Sequence, residues 1–216
     1  MSFEDEFEKV CRNLGTRYKG FKKIFEELDK IPHPVIIETG CVRREDSWNS
    51  DGSSTVLFDK YVQFNGGELI TIDINQTSTD CARKLCSLAN VITADSIETL
   101  KNLAETGIKA DLLYLDSFDC DWKDIFPSAN HHLKELEAAL PMITDKTLIV
   151  VDDCFYTKET KQVLGKGYLV AKYMSEHGAE PFLLDYQCGW KHLNKSAVKR
   201  TTTRKDVEHG KYTTER

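Results

Sequence analysis

No run of apolar residues in this sequence approaches the roughly 18 that an α-helical membrane span requires, so no membrane partner is expected. The seven cysteines include no CxxC pair and no zinc-type spacing, and they are odd in number. Free thiols in a reducing cytoplasm are therefore their expected state. The GxGxxG fingerprint is also missing, so a dinucleotide-binding motif is not supported.

The beginning of the sequence also lacks the apolar segment of a secretory signal peptide. Its first residues, MSFEDEFEKVC, are acidic, and this agrees with the expected cytoplasmic location. A length of 216 residues fits one domain with a full hydrophobic core. A hydrophobic content of 40% beside a charged content of 30% is typical of a soluble globular protein.

The net charge of −6 is unevenly distributed along the chain. Residues 191–216 carry eight Lys and Arg against three Asp and Glu, whereas the preceding residues carry 21 against 32. Binding to a nucleic-acid backbone needs a basic face, which this acidic body lacks, so no nucleic-acid partner is expected. We interpret residues 194–216 as a basic, flexible tail.

Residues 1–30 are predicted to form a helical extension. Apolar side chains recur at three- and four-residue steps within this stretch, which indicates an amphipathic helix interrupted near Gly15 or Gly20. Packing of this extension on the edge of a sheet is favoured over a role as a lid across a site.

Residues 31–193 alternate between short apolar runs and helical patterns, which predicts a parallel sheet with helices on both faces. The loop at residues 154–167 contains Gly165 and Gly167 and is predicted to be a flexible link that acts as a lid. Lys166 and Tyr168 are candidates either for acceptor contact or for a helix start. The predicted strands cover residues 35–38, 69–73, 91–94, 112–116, 148–152, 181–186 and 189–193, and the predicted helices cover 53–64, 78–88, 96–105, 128–140 and 166–177.

Acidic residues follow two of the predicted strands at the point where each strand ends. The stretch 111–121, DLLYLDSFDCD, is an apolar run that leads into Asp116, and the run at 148–151 leads into Asp152 and Asp153. Ligands of open α/β sheets bind outside the carboxyl ends of the strands. These acids therefore predict a shared site.

The first and second strands also end in polar residues. Glu38 and Gly40 close the first strand, and Ser54 with Thr55 opens the next helix, whose N-terminus suits a carboxylate or phosphate. Ordinary turn glycines are the alternative interpretation. Asp73 ends the second strand, where an acid can accept hydrogen bonds from ribose hydroxyls.

Asp95 and Ser96 follow the third strand. Either residue is suited to cap the next helix, and capping is favoured for Ser96. Contact with an adenine amino group is the competing role for this pair.

Taken in order, these pieces resemble the class I S-adenosylmethionine-dependent methyltransferases over roughly residues 35–193. The motif ExGxxxGxST of one subgroup has its counterpart in Glu38, Gly40, Gly52, Ser54 and Thr55, with residues 41–51 inserted between the glycines. The resemblance implies a Rossmann-like three-layer αβα sandwich with a seven-stranded, mostly parallel sheet whose last strand is antiparallel. It also implies S-adenosyl-L-methionine as cofactor, bound by Glu38, Gly40, Cys41, Ser54, Thr55, Asp73, Asp95, Ser96, Asp116 and Ser117.

Within this group the chain is more similar to the metal-dependent sugar O-methyltransferases of the macrocin and novobiocin type. In those enzymes an Asp after the fourth strand and an Asp-Asp pair after the fifth bind magnesium. The matching residues here are Asp116, Asp152 and Asp153. This resemblance implies Mg²⁺, a small-molecule acceptor such as a sugar or glycan, and a homodimer. The loop after Asp116 departs from the subgroup's usual pattern, so the acceptor stays open.

The chemistry of these residue types agrees with that function. Magnesium takes carboxylate ligands, keeps waters that substrate oxygens can replace, and acidifies a bound hydroxyl. Asp116, His131 and His132 are the candidates for the base that removes the proton. A metal-independent methyltransferase is the first alternative. A nucleotide-dependent oxidoreductase and a non-catalytic cofactor-binding module are the others.

Overall fold

The computed structural model describes residues 2–46, 48 and 53–194 of the chain. From residue 195 onward the predicted basic tail lies outside the described residues, as do residues 47 and 49–51 of the predicted insertion and Gly52 of the glycine motif.

One large sheet forms the centre of the described chain. Its order is established by backbone pairing once the strands are named: β1 (Val35–Thr39), β2 (Glu68–Asp73), β3 (Asn90–Thr93), β4 (Ala110–Leu115), β5 (Ile143–Val151), β6 (Cys154–Thr157), β7 (Gln162–Gly165), β8 (Glu180–Leu184) and β9 (Cys188–Lys191). Seven of these pair in the order β3-β2-β1-β4-β5-β9-β8. The first five are parallel, and β9 runs antiparallel to both β5 and β8. This confirms the predicted seven-stranded, mostly parallel sheet.

Helices cover both faces of this sheet, which confirms the three-layer αβα sandwich. Successive strand residues point to opposite faces, so Leu112 and Tyr114 of β4 enter one core while Leu113 and Leu115 enter the other. None of the described helices is long and apolar enough to cross a membrane. The helices are α1 (Phe3–Val10), α2 (Tyr18–Leu28), α3 (Ser54–Asn65), α4 (Gln76–Leu85), α5 (Ser96–Glu105), α6 (Phe126–Ala139) and α7 (Tyr168–Glu176).

The N-terminal extension consists of α1 and α2, joined by two short 3₁₀ turns over residues 11–17. The interruption lies at Gly15, whose φ is +54°, whereas Gly20 continues α2. Phe21 of α2 stacks on Tyr114 of the central strand β4, with ring centroids 6.0 Å apart. The extension therefore packs across a face of the sheet, and the prediction that it packs on an edge was wrong.

Residues 154–167 differ from the predicted flexible link. They form an antiparallel hairpin of β6 and β7, in which Cys154 pairs with Gly165. Each strand has only four residues, so its alternation is too short to stand out in the sequence. The hairpin holds the residue that follows it, Lys166, at the carboxyl end of β5.

Candidate functional site

The carboxyl ends of the parallel strands open onto one polar cleft, as expected for an open α/β sheet. The cleft brings residues predicted for the cofactor together with residues predicted for the metal. It is lined by Arg17, Gly40, Cys41, Arg43, Ser54, Asp116, Asp119, Asp153 and Lys166.

Glu38 lies beneath this cleft at the end of β1 and is fully buried. Its Oε2 accepts a hydrogen bond of 2.7 Å from the Thr71 hydroxyl, whereas its Oε1 has no hydrogen-bond partner. Burial raises the pKa of Glu38 to about 7, although the nearby hydroxyls of Ser54, Thr71 and Thr55 oppose this rise. A buried acceptor without a partner suits the donor of a bound ligand.

Gly40 allows the backbone of β1 to approach the backbone after β4. Its φ is +79°, and a Cβ at this position would lie 2.5 Å from the carbonyl oxygen of Asp116. Only glycine fits both the conformation and the contact without strain. Gly40 also lines the cleft, so a ligand there can contact its main chain.

Asp73 holds the loop that follows β1. Its Oδ2 accepts a hydrogen bond of 3.1 Å from the backbone N–H of Cys41, and its Oδ1 accepts one of 2.8 Å from Asn75. The Thr55 hydroxyl of α3 accepts another from the N–H of Val42 at 3.0 Å. The predicted cofactor residues at the ends of β1 and β2 are thus tied together. They fit S-adenosyl-L-methionine, because Glu38 Oε1 is a buried acceptor without a partner and Gly40 lines the cleft without a side chain.

The end of β3 differs in one detail from the prediction. Asp95, and not Ser96, is the cap of α5, since its carboxylate accepts the backbone N–H of Glu98 at 2.9 Å. Ser96 is the first residue of the helix, and its hydroxyl lies 3.3 Å from Nε2 of His131. His131 therefore faces the end of β3.

A buried glutamate, Glu135, connects this region to the ends of β1 and β4. It accepts hydrogen bonds from the hydroxyls of Ser117 at 2.7 Å and Thr39 at 3.1 Å, and it lies 3.3 Å from Nε2 of His131. Burial opposes its negative charge, but the hydrogen bond with His131 and the electrostatic interaction with His132 outweigh that effect and lower the pKa of Glu135. The sequence analysis did not single out this residue.

His132, the other predicted base on α6, is completely buried. Its Nδ1 lies 2.7 Å from the carbonyl oxygen of Ser128, one turn earlier. Burial lowers the pKa of His132 to about 4. A side chain in this position is out of reach of an acceptor in the cleft.

The three predicted magnesium ligands form ion pairs with two cationic side chains of the same chain. Arg17 Nε donates to Asp152 Oδ2 at 2.7 Å, and Arg17 Nη2 donates to Asp153 Oδ1 at 2.8 Å. Lys166 Nζ lies 2.5 Å from Asp116 Oδ1 and 3.0 Å from Asp153 Oδ2. The carboxylates are thus neutralised in part by buried side chains.

The charges of this cluster are mutually dependent. Burial opposes the charge of Lys166, but Asp116 and Asp153 outweigh it and raise the pKa of the ammonium. Burial likewise opposes the charge of Arg17, and Asp152 raises the pKa of the guanidinium in spite of it. Both cations therefore stay protonated.

A divalent cation does not fit this arrangement of the carboxylates. Asp116 Oδ1, Asp152 Oδ2 and both carboxylate oxygens of Asp153 are engaged by Arg17 or Lys166. Within the described ranges, no group of three or more His, Cys, Asp or Glu side chains is arranged to hold a metal ion. The magnesium prediction thus conflicts with the ion pairs of the chain.

Arg17 is the site residue that the sequence analysis missed. It is only 4% exposed although it lies in a highly charged segment. Its position in the sequence could have revealed it. Leu14 lies three residues before Arg17 and Phe21 lies four residues after it, which places Arg17 on the apolar side of the helical pattern. A charged residue on the apolar side of such a pattern indicates a buried partner of opposite charge.

Comparisons with known proteins agree with this fold. Residues 50–154 match the family model described as a methyltransferase domain. No curated protein sequence matches the chain.

Three solved structures illustrate the likeness of fold. The MycE methyltransferase from the mycinamycin biosynthetic pathway, in complex with Mg and SAH, has a TM-score of 0.59 at 14% identity, over 87% of this chain and 54% of that chain. CalS11, a calicheamicin methyltransferase, has a TM-score of 0.53 at 13% identity, over 88% of this chain and 91% of that one. NSun6 from Pyrococcus horikoshii with SFG has a TM-score of 0.54 at 16% identity, over 77% of this chain and 50% of that chain.

This chain spans about half the length of the MycE and NSun6 chains that it matches. At such identities the likeness shows the fold alone. The match of residues 50–154 to a methyltransferase domain agrees with the fold that the chain shares with these structures.

Proposed function

We propose that this chain transfers the methyl group of S-adenosyl-L-methionine to a hydroxyl oxygen of a small acceptor, of which a sugar is the predicted example. The proposal rests chiefly on one observation: the predicted cofactor residues and the predicted catalytic acid share a cleft. Gly40 and Asp116 both line that cleft, and a Cβ on Gly40 would collide with the carbonyl oxygen of Asp116. Cofactor and acceptor would therefore meet at the ends of β1 and β4.

The residues at the ends of β1 to β3 would hold the cofactor. Glu38 offers a buried carboxylate oxygen without a partner, and Asp73 offers a carboxylate at the end of β2, where ribose hydroxyls bind in related folds. S-adenosyl-L-methionine supplies a methyl group on a cationic sulfur. Alignment of this methyl group with the acceptor accounts for much of the acceleration in such transfers.

Asp116 is the base that we propose for the acceptor hydroxyl. The acceptor oxygen forms a bond to the methyl carbon, the bond between carbon and sulfur breaks, and the hydroxyl proton moves to the Asp116 carboxylate. Two observations favour Asp116 over the histidines. His132 is completely buried, and His131 faces Ser96 and Glu135 instead of the aspartates.

Magnesium-assisted O-methylation is the second candidate. The likeness in fold to MycE, whose structures contain Mg, favours it. The ion pairs of Arg17 and Lys166 with the three aspartates oppose it. We therefore propose the metal-independent reaction as the first candidate, and activity in the presence of a chelator separates the two.

A small-molecule acceptor is also part of the proposal. The acidic excess of residues 1–190 supports it, because such a surface repels a nucleic-acid backbone. Arg43, in the predicted insertion, pairs with Asp119 beyond β4 at 2.6 Å, so both belong to the acceptor side of the cleft. The homodimer implied by the resemblance stays a prediction, which sedimentation velocity would test.

Titration calorimetry with S-adenosyl-L-methionine, followed by transfer of a labelled methyl group to a panel of sugars and other small hydroxylated molecules, tests this function. We expect cofactor binding by the native protein and by Asp116→Asn, with methyl transfer only by the native protein. Asp121→Asn is the matched control, since Asp121 is an exposed aspartate of the same loop.

Each other outcome favours a different function. Absence of cofactor binding at millimolar concentration would contradict the proposal outright. Binding without transfer to any acceptor would favour the non-catalytic module, and turnover of NADH would favour the oxidoreductase.

A further inference from the structure

We infer that Lys166, braced by Arg17, takes the place of a divalent metal ion at the carboxyl ends of β4 and β5. Removal of this lysine would then convert the site into one that binds a metal. What this inference means for catalysis rests on the proposed function. Metal binding itself can be measured without cofactor or acceptor.

The ammonium group of Lys166 is surrounded by oxygen atoms in the way that a bound cation is. Its Nζ contacts Asp116 Oδ1 at 2.5 Å, Asp153 Oδ2 at 3.0 Å and the backbone oxygen of Asp116 at 3.2 Å. A lysine ammonium has three donors. Two of these contacts are hydrogen bonds and the third is an ion pair, and the side chain of Lys166 is only 1% exposed.

The backbone holds Lys166 in this position. The N–H of Lys166 donates to the carbonyl oxygen of Asp153 at 3.2 Å. Glycines lie on both sides: a Cβ on Gly165 would lie 2.2 Å from the same carbonyl oxygen, and one on Gly167 would lie 2.6 Å from Cys154 Sγ. The lysine thus lies at the open end of the hairpin, next to the pair of Cys154 and Gly165, and not at its turn.

Arg17 supplies the second cation from the opposite face of the sheet. It binds Asp152 and Asp153, and its guanidinium lies 4.7 Å from the ring centroid of Tyr186. The Tyr186 hydroxyl in turn donates to Asp153 Oδ1 at 2.5 Å. Three aspartates so close together need positive charge nearby, because like charges repel strongly where water is scarce. The two cations provide that charge without a metal.

One oxygen of the cluster is left over. Asp152 Oδ1 is buried and has no hydrogen-bond partner, while the other oxygen of the same carboxylate binds Arg17. Without the Lys166 side chain, Asp116 Oδ1 and Asp153 Oδ2 would also lose their shared cation. Magnesium and manganese prefer carboxylate oxygens and complete their coordination with water. The chain would then offer three carboxylates to a metal ion.

Manganese binding, followed by electron paramagnetic resonance of the free ion, tests this inference directly. We expect the native protein and the control Lys158→Ala, which changes an exposed lysine of the same hairpin, to bind no Mn²⁺ at the cluster. Lys166→Ala should bind one Mn²⁺ per chain, with an affinity at least about tenfold above any residual affinity of the native protein. The substitution removes the competing cation and leaves buried negative charge unpaired. Adding Asp116→Asn to this variant should abolish that binding.

Two results would overturn the inference. One is Mn²⁺ bound by the native protein and lost in Asp152→Asn. The other is a folded Lys166→Ala protein that binds no metal. Should Lys166→Ala not fold, the native protein alone decides the matter. Lys166→Met combined with Asp116→Asn, which removes one charge of each sign, should then fold and bind no Mn²⁺.

A chelator provides the link to catalysis. Methyl transfer by the native protein should be unchanged in the presence of EDTA. If the native protein shows no transfer at all but the metal-binding results are as expected, the proposed function fails while the inference on Lys166 stands.

Discussion

The carboxyl ends of β1–β3 (the β1–β3 side, with Glu38, Asp73 and Asp95) and those of β4–β5 (the β4–β5 side, with Asp116, Asp152 and Asp153) each carry three acids, but these acids have different partners. On the β1–β3 side the acids accept hydrogen bonds from hydroxyl and backbone N–H groups. On the β4–β5 side they pair with Arg17 and Lys166.

In the proposed function, this difference would allow one cleft to bind both a cofactor and an acceptor. In the proposed function, neutral donors would leave acceptor oxygens of the β1–β3 side, such as Glu38 Oε1, to the cofactor. Arg17 and Lys166 oppose the negative charge of the β4–β5 side inside the chain, which would suit the uncharged acceptor that we propose.

Among the variants that test the difference between the two sides, removal of Arg17 should reduce the free energy of unfolding most. Arg17→Ala leaves Asp152 buried beside Asp153 without its guanidinium partner, and breaking such a buried pair costs about 3–5 kcal/mol. Urea unfolding measures the loss. The exposed Arg12, five residues earlier, is the matched control, and Arg12→Ala should stay within about 0.5 kcal/mol of the native protein. A loss below about 1 kcal/mol in Arg17→Ala would show that the two sides do not differ in this way.

Gly40 tests whether the two sides need close contact. Gly40→Ala combines an unfavourable positive φ with a Cβ only 2.5 Å from the Asp116 carbonyl oxygen. Gly107 has a similar φ of +84° but nothing within 4 Å of an added Cβ, so Gly107→Ala isolates the backbone strain. We expect Gly40→Ala to cost about 1–3 kcal/mol more than Gly107→Ala in thermal unfolding. Equal losses would mean that the contact between β1 and β4 is easily relaxed.

The pH dependence of stability should reveal Glu38. Its folded pKa of about 7 lies above the usual value near 4.3, so between these values the folded chain holds a proton that the unfolded chain has lost. Stability is then lost as the pH rises through this window, by about 1–3 kcal/mol. Urea unfolding at several pH values measures the slope.

Two variants sharpen the test of Glu38. Glu38→Gln should lack this component of the slope, whereas Glu68→Gln, at an exposed residue of β2, should keep it. The charge of Asp73 adds to the effect, and the hydroxyls of Ser54, Thr55 and Thr71 reduce it. An unchanged slope in Glu38→Gln would count against a protonated Glu38 on the β1–β3 side.

The smallest effect on stability is expected at the rim of the β4–β5 side. Arg43 and Asp119 form an ion pair of 2.6 Å whose side chains are 39% and 74% exposed. Arg43→Ala should change the free energy of unfolding by less than about 1 kcal/mol, because water screens exposed pairs. A loss comparable to that of Arg17→Ala would erase the distinction between rim and buried cluster. A higher KM for the acceptor with an unchanged affinity for the cofactor would place Arg43 in acceptor binding.

Most of the large sheet was predictable because strand and helix patterns are local. The helix predicted at residues 96–105 has the same bounds as α5, and the first strand differs by one residue. The hairpin was missed because its strands are four residues long, and short strands show little alternation. The N-terminal cap of α5 was predicted at Ser96, one residue after the actual cap, Asp95. Backbone conformation decides which of two adjacent polar residues becomes the cap.

The sequence by itself determined the alternation of strands and helices and the acids at the strand ends, since both follow from the local order of residues. Only the tertiary structure decided which cationic side chains pair with those acids. Arg17 lies 135 residues before Asp152 and Lys166 lies 50 residues after Asp116, on segments that approach the sheet from outside. No local pattern specifies contacts over such distances, because they depend on how the N-terminal helices and the hairpin pack against the sheet.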